Sequence, residues 1–183
     1  MRIAYRTGGR GESALFLHGI TTYSFLWRDV VSLLEGDLTF FAPDLMGCGD
    51  SSKPAGADYS LTAQADTILG FMDAAGVGKA HLVGHDIGGG IAQILSVREP
   101  ERFRTLTLVN TVAYDYWPVQ PIVTMRVPLL RHLAMATLDH GVLRMLVSRT
   151  FHDKEKVSEE LMGHFMRPLR SEVMIRFPSR SGG

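Results

Sequence analysis

The sequence predicts an α/β fold: a mostly parallel sheet with helices on both faces, followed by a helical segment. Three observations carry this. Short apolar runs alternate with stretches of helical period from Ala14 to Val109. One such run, residues 80–83, leads straight into Gly84-His85-Asp86-Ile87-Gly88-Gly89-Gly90, a glycine-punctuated turn, and then into a helical pattern. After Asn110 no further strand-like run follows, and helical patterns alone continue, with Pro118, Pro121, Pro128 and Pro168 as punctuation.

The elements follow in chain order. Residues 2–6 alternate as a strand does, and Gly8-Gly9-Arg10-Gly11-Glu12 is a turn, so the chain is expected to open with an edge hairpin leading into a buried strand at residues 14–17. Ser24 is a candidate cap for a helix with Leu26, Val30, Leu33 and Leu34 on one face, ending at Gly36. Residues 38–42 form the next strand. A loop rich in Gly, Ser, Asp and Pro follows, until Ser60 opens a helix whose Leu61, Ala65, Ile68, Leu69 and Met72 repeat at helical spacing and which Gly76 stops. A strand at 80–84, a helix at about 87–98 and a strand at 105–109 complete the pattern. A parallel sheet covered on both faces takes its ligands outside the carboxyl ends of its strands.

Composition narrows the classes of function. A chain of 183 residues holds one substantial core, and 19 Lys and Arg balance 19 Asp and Glu. The basic residues are spread singly, which argues against a nucleic-acid surface. No apolar run reaches the length of a membrane span, the first residues carry no apolar signal region, and the single cysteine, Cys48, excludes an internal disulfide, so a cytoplasmic protein is expected. Gly88-Gly89-Gly90 is a poor phosphate cradle: the spacing is not G-x-G-x-x-G, no P-loop lysine follows, and Asp86 repels phosphate. His81 and His85 lie on one strand face with no third ligand nearby, so neither a metal nor a cofactor is expected.

The 80–90 segment has the layout of a nucleophile elbow, with Asp86 on a strained turn at the carboxyl end of a strand. Gly84 and Gly88, two before and two after it, fit positions pressed against neighbouring backbone. The competing role for Asp86 is a helix N-cap, which aspartate fills well. Two more motifs stand in order with the elbow: Leu17-His18-Gly19-Ile20 after an earlier strand, and Asp44-Leu45-Met46-Gly47-Cys48-Gly49-Asp50-Ser51 after the next. On these three motifs the chain resembles the α/β-hydrolase superfamily, in the branch that carries aspartate where esterases carry serine, with haloalkane dehalogenases and epoxide hydrolases as familiar members.

The resemblance implies Asp86 as nucleophile and the backbone N–H groups of Ile20 and Ile87 as oxyanion donors, with His18, Gly19, Gly84, His85 and Gly88 supporting the elbow. It implies a core over 1–113, a helical lid over 114–176 and a tail at 177–183, with Tyr114, Tyr116 and Trp117 as candidate lid groups facing substrate. Six of the methionines fall in or near that lid: Met125, Met135, Met145, Met162, Met166 and Met174. Family members run on through two more strands that bring an acidic residue and then a histidine base, and the chain is expected to be incomplete, lacking these and its first edge strand. Asp115 is a candidate acid; His132, His140, His152 and His164 are weak candidates for the base. Ile87 and Ile20 stand where dehalogenases typically place the tryptophan and asparagine that hold halide, and Thr21 stands where epoxide hydrolases usually have proline. The expectation is a hydrolase acting through a covalent alkyl ester on a small, mostly apolar alkyl halide or epoxide; the alternative is a non-catalytic protein of the same fold that binds a ligand or partner. An uncovered strand at 105–109 is expected to favour self-association.

Overall fold

The computed structural model describes residues 1–113 and 140–169. The chain divides into two units, residues 1–114 and 115–183, each taken by itself. The first holds five strands, β1 (Tyr5–Gly9), β2 (Glu12–Leu17), β3 (Leu38–Pro43), β4 (Ala80–Asp86) and β5 (Phe103–Thr111), with three helices, α1 (Arg28–Leu34), α2 (Leu61–Ala74) and α3 (Ile87–Arg98). They form one sheet in the order β1-β3-β2-β4-β5, parallel throughout except for antiparallel β1. This is the α/β architecture that the alternating pattern predicts.

Strand alternation divides the core between the two faces of the sheet. Leu15, Leu17 and Leu82 point to the face covered by α2 and α3, where Ile68, Met72, Ile91 and Leu95 close over them. Ala14, Phe16, Phe40 and Ala42 point to the other face, against Trp27 and Val31. Burying a side chain such as Leu15 completely contributes roughly 1.5–3 kcal/mol. Helix α2 starts as the sequence predicts: the Ser60 hydroxyl accepts the Ala63 N–H at 3.2 Å, and Gly76 follows its end at φ 70°.

Two local expectations are corrected. β1 is not the hairpin partner of β2; it pairs with β3, Tyr5 opposite Pro43 and Gly9 opposite Thr39, and residues 2–4 run on beside the 44–52 loop. A hairpin is suggested by turn residues alone, whereas β2 already spends both edges on β3 and β4. The helix expected from Ser24 begins instead with a 3-10 turn, Ser24–Trp27, before α1. The tighter turn shifts the phase, so Val31 is buried while Val30 and Leu33 face solvent. Ser24 gives its N–H to Asp44 at 2.8 Å, and Tyr23, not Ser24, stands at the cap position of the turn.

In the second unit, α4 (His140–Thr150) and α5 (Glu159–Leu169) enclose a small cluster of Leu143, Val147, Val157 and Met162. Arg144 ties them by pairing with Glu159 and donating to the Val157 carbonyl at 3.0 Å. No helix among the described residues is long and apolar enough to cross a membrane.

Candidate active site

Three loops at the carboxyl ends of β2, β3 and β4 meet around Asp86. In the first, His18 is fully buried and both ring nitrogens are engaged: Nε2 accepts the Leu45 N–H at 2.9 Å, and Nδ1 donates to the Gly19 carbonyl at 2.9 Å. A backbone N–H can only donate, so Nε2 is the acceptor and the proton sits on Nδ1. Burial pushes the imidazole below its ordinary pKa, despite the Gly19 carbonyl and the charge of Asp44 pulling the other way. His18 ties the turn after β2 to the loop after β3. Thr22 clamps the same turn, its hydroxyl donating to Gly19 O at 2.8 Å, while Thr21 adopts φ 59°.

The second loop is held by Asp44, whose carboxylate accepts the N–H groups of Ser24 and Asp50, each at 2.8 Å. Ser51 returns its hydroxyl to the Asp44 carbonyl at 2.6 Å, and buried Gln64 of α2 bonds both backbone groups of Met46. The 44–51 motif is therefore a brace. Neither the brace nor the part played by Gln64 is evident from residue type; a buried polar residue in an apolar helix pattern is the one signal that would have found Gln64. Burial pushes the Cys48 thiol up to about 12, which disfavours its thiolate.

The third loop is the elbow. Asp86 stands between β4 and α3 at φ 53°, ψ −122°, a conformation that costs a residue with a Cβ about 1–3 kcal/mol. Gly84 and Gly88 are required where the sequence places them: a Cβ on Gly84 would lie 2.6 Å from Gly88 O, and one on Gly88 would lie 2.5 Å from the carbonyl oxygens of Leu17 and His18. The Asp86 side chain makes no cap bond to α3, which removes the N-cap role. Its Oδ2 instead accepts the Ile20 N–H at 2.9 Å, and Thr111 steadies the turn by donating to the Asp86 carbonyl at 2.8 Å. Ile87 is the first residue of α3, where backbone N–H groups have no partner inside the helix.

His85 contributes a feature the sequence does not announce. A Cβ on Gly19 would lie 2.8 Å from both Asp86 Oδ2 and His85 Nδ1, so carboxylate and imidazole converge on one glycine. His85 Nδ1 is buried and has no hydrogen-bond partner, as is Trp27 Nε1; the two rings stand 6.5 Å apart, edge to face at 86°. His81, four residues earlier, sits at the amino end of β4 and is engaged by Glu12 at 3.0 Å and Thr105 at 2.9 Å. That bond, and then the Arg104 charge, hold the Glu12 carboxyl below its usual range. Tyr114, Asp115, Tyr116, Trp117, His132 and the side chain of His140 lie outside the described residues; His152 is exposed and His164 half-buried. A groove of about 540 Å³ lies elsewhere, between residues 1–5 and α2, and no elbow residue lines it.

A strained strand-to-helix turn presenting a nucleophile toward an N–H after the neighbouring strand defines the active-site class of the α/β hydrolases. A family model described as alpha/beta hydrolase fold matches residues 15–167, and the chain belongs to that family. It is 35% identical over 124 residues to a cis-3-alkyl-4-alkyloxetan-2-one decarboxylase of Shewanella oneidensis, covering 66% of this chain and 39% of that protein. It is also 35% identical over 121 residues to haloalkane dehalogenase 2 of Mycobacterium tuberculosis, covering 66% of this chain and 41% of that one. The chain thus spans about two fifths of the length of these relatives. Among solved structures, Cfl2 from Burkholderia cenocepacia superposes with a TM-score of 0.81 at 24% identity over 90% of this chain and 61% of that one, a likeness of fold alone.

Proposed function

We propose that the chain carries the nucleophile and oxyanion donors of a hydrolase that opens small, mostly apolar electrophiles through a covalent ester on Asp86. The observation that carries this is the strained Asp86 whose carboxylate turns away from the helix it precedes and toward the Ile20 N–H. In the first step Asp86 Oδ1 attacks a saturated carbon, the C–O bond of the ester forms, and the bond to the leaving group breaks with its electron pair. In the second, water attacks the ester carbonyl carbon and loses its proton to a base; the negative charge collects on Oδ2, where Ile20 and Ile87 N–H groups receive it, until the bond from that carbon to Oδ1 breaks and the product alcohol leaves with the proton from the base. An oxygen already paired with a donor in the ground state needs no reorganisation when that charge develops.

Ile20 and Ile87 offer apolar side chains and no side-chain donor for a departing halide, whereas an opened epoxide oxygen stays attached to the substrate and needs a proton; a β-lactone opened at its saturated carbon leaves a carboxylate, which needs none. The relatives include one named for an oxetan-2-one and one named for haloalkanes, which brackets the two chemistries.

Incubation with a terminal epoxide, a β-lactone and a small alkyl halide, followed by peptide mass spectrometry, tests the proposal. The expected result is an adduct on the 80–98 peptide, or turnover, that disappears in Asp86→Ala. A folded sample giving neither would leave the non-catalytic, ligand-binding alternative in its place.

A further inference from the structure

The Ile20 N–H that meets Asp86 Oδ2 at 2.9 Å forms one rigid unit with the Gly19 carbonyl. A trans peptide is planar, with its C=O and N–H pointing opposite ways, so whatever holds the Gly19 oxygen also aims the Ile20 hydrogen. Three donors from described residues converge on that oxygen: the Thr22 hydroxyl at 2.8 Å, His18 Nδ1 at 2.9 Å and the Thr22 N–H at 3.4 Å.

The longest of these bonds is the one that closes the turn from Gly19 to Thr22. Its third residue, Thr21, takes φ 59°, a place that ordinarily goes to glycine or asparagine and that a β-branched side chain fills under strain. A turn with a long closing bond and a strained residue does not hold its shape by itself. Such strain persists where the surroundings over-determine the backbone, and the Thr22 hydroxyl is the group placed to do so. Thr22 is only 5% exposed, its hydroxyl makes the shortest of the three bonds, and the same oxygen lies 3.5 Å from His18 Nδ1, the second donor. Without that hold, the permissive backbone of Gly19 lets the peptide rotate and carry the Ile20 N–H off the carboxylate.

We infer that Thr22 is a positioning residue for the oxyanion donor: through the Gly19–Ile20 peptide, its hydroxyl keeps the Ile20 N–H on Asp86 Oδ2. A hydrogen bond to the carbonyl also polarises the amide, which strengthens its N–H as a donor. The inference rests on the ester chemistry proposed above for Asp86, and it assigns the hydroxyl to one step of it. Attack by Oδ1 draws charge off the carboxylate and does not need the donor, whereas hydrolysis of the ester puts charge onto Oδ2 and does.

Thr22→Val, which keeps the branched shape without the hydroxyl, and Thr22→Ser, which keeps the hydroxyl, test this in the 183-residue chain. Melting curves verify that each folds, and Thr22→Ala is a second variant without the hydroxyl. The readouts are the Ile20 amide in proton–nitrogen correlation spectra, and the formation and decay of the Asp86 adduct of a terminal epoxide by mass spectrometry. In Thr22→Val the Ile20 amide proton is expected to move upfield and exchange faster with solvent. The adduct should form no more slowly but decay about tenfold or more slowly, and Thr22→Ser should restore both the amide signal and the decay. An Ile20 amide that stays in place in Thr22→Val overturns the inference, as does an unchanged decay. So does slowing of formation and decay together, or a serine variant that behaves like the valine one, since either marks a merely structural side chain. A chain that forms no adduct at all removes the function proposed for Asp86, and the Ile20 amide then decides the positioning role by itself.

Discussion

The Ile20 N–H and the Asp86 carboxylate, 66 positions apart in the chain, are joined by a 2.9 Å hydrogen bond. It links the loop after β2 to the elbow after β4, two strands paired in register from Ala14↔His81 to Leu17↔Gly84. Parallel pairing is what makes the bond possible, because both strands then deliver their loops to the same end of the sheet.

Gly19 is where this bond is most easily broken. A Cβ there would stand 2.7 Å from Asp86 Cβ and 2.8 Å from Oδ2, so Gly19→Ala pushes the carboxylate off the Ile20 N–H. Losing one oxyanion donor costs roughly 10²–10³ in rate. Hydrolysis of the Asp86 ester, read as the decay of the adduct by mass spectrometry, should slow by about that factor. An unchanged rate would mean that the Ile20 contact plays no part in the chemistry.

His18 gives the protein an acid-side weakness. Its folded pKa lies below the ordinary 6.5, so between those two values the unfolded chain binds the extra proton and the folded chain does not. Stability is therefore undiminished above pH 6.5 and falls as pH drops below it, by up to about 1.4 kcal/mol per unit. Glu12, whose carboxyl is held below its usual 4.5, acts only at lower pH, where its contribution is lost as pH falls through the folded value. Denaturant titrations between pH 5 and 7 should show the slope in the native chain and a flatter one in His18→Gln.

How much of this was legible follows from how far each feature reaches along the chain. Gly84 and Gly88 announce the turn because any side chain there strikes backbone. The partner of β1, the phase of the 24–34 segment and the brace around Asp44 were not legible. Each depends on a meeting between distant segments that residue type does not encode: β1 meets β3, Ser24 meets Asp44, and Trp27 meets His85. The Asp44 motif shows the difference, since the sequence marks it as part of the pattern but not as the acceptor of two loop N–H groups.

Asp44→Ala should consequently act on stability more than on chemistry. It strands the Ser24 and Asp50 N–H groups, the first of them buried, at a cost of about 1–3 kcal/mol for each one that water cannot reach. The unfolding midpoint should drop accordingly, while Asp86 in the remaining folded fraction still forms adducts. A full loss of adduct without loss of stability would assign Asp44 a direct role in the site.

Asp86→Gly separates a nucleophile held under strain from a residue kept for folding. At φ 53° and ψ −122° glycine relieves roughly 1–3 kcal/mol of backbone strain, and the substitution gives up one hydrogen bond, to Ile20, of about 1 kcal/mol. Asp86→Asn keeps both the strain and an oxygen for Ile20. The glycine variant should therefore be the more stable of the two, by about 1 kcal/mol in denaturant unfolding, and both should lose the adduct. A helix cap would give the opposite order, because asparagine caps well and glycine slightly worse. If Asp86→Gly proved less stable than Asp86→Asn, the strain at the elbow would be doing nothing that evolution needed to tolerate, and the case for Asp86 as a nucleophile would lose its main physical support.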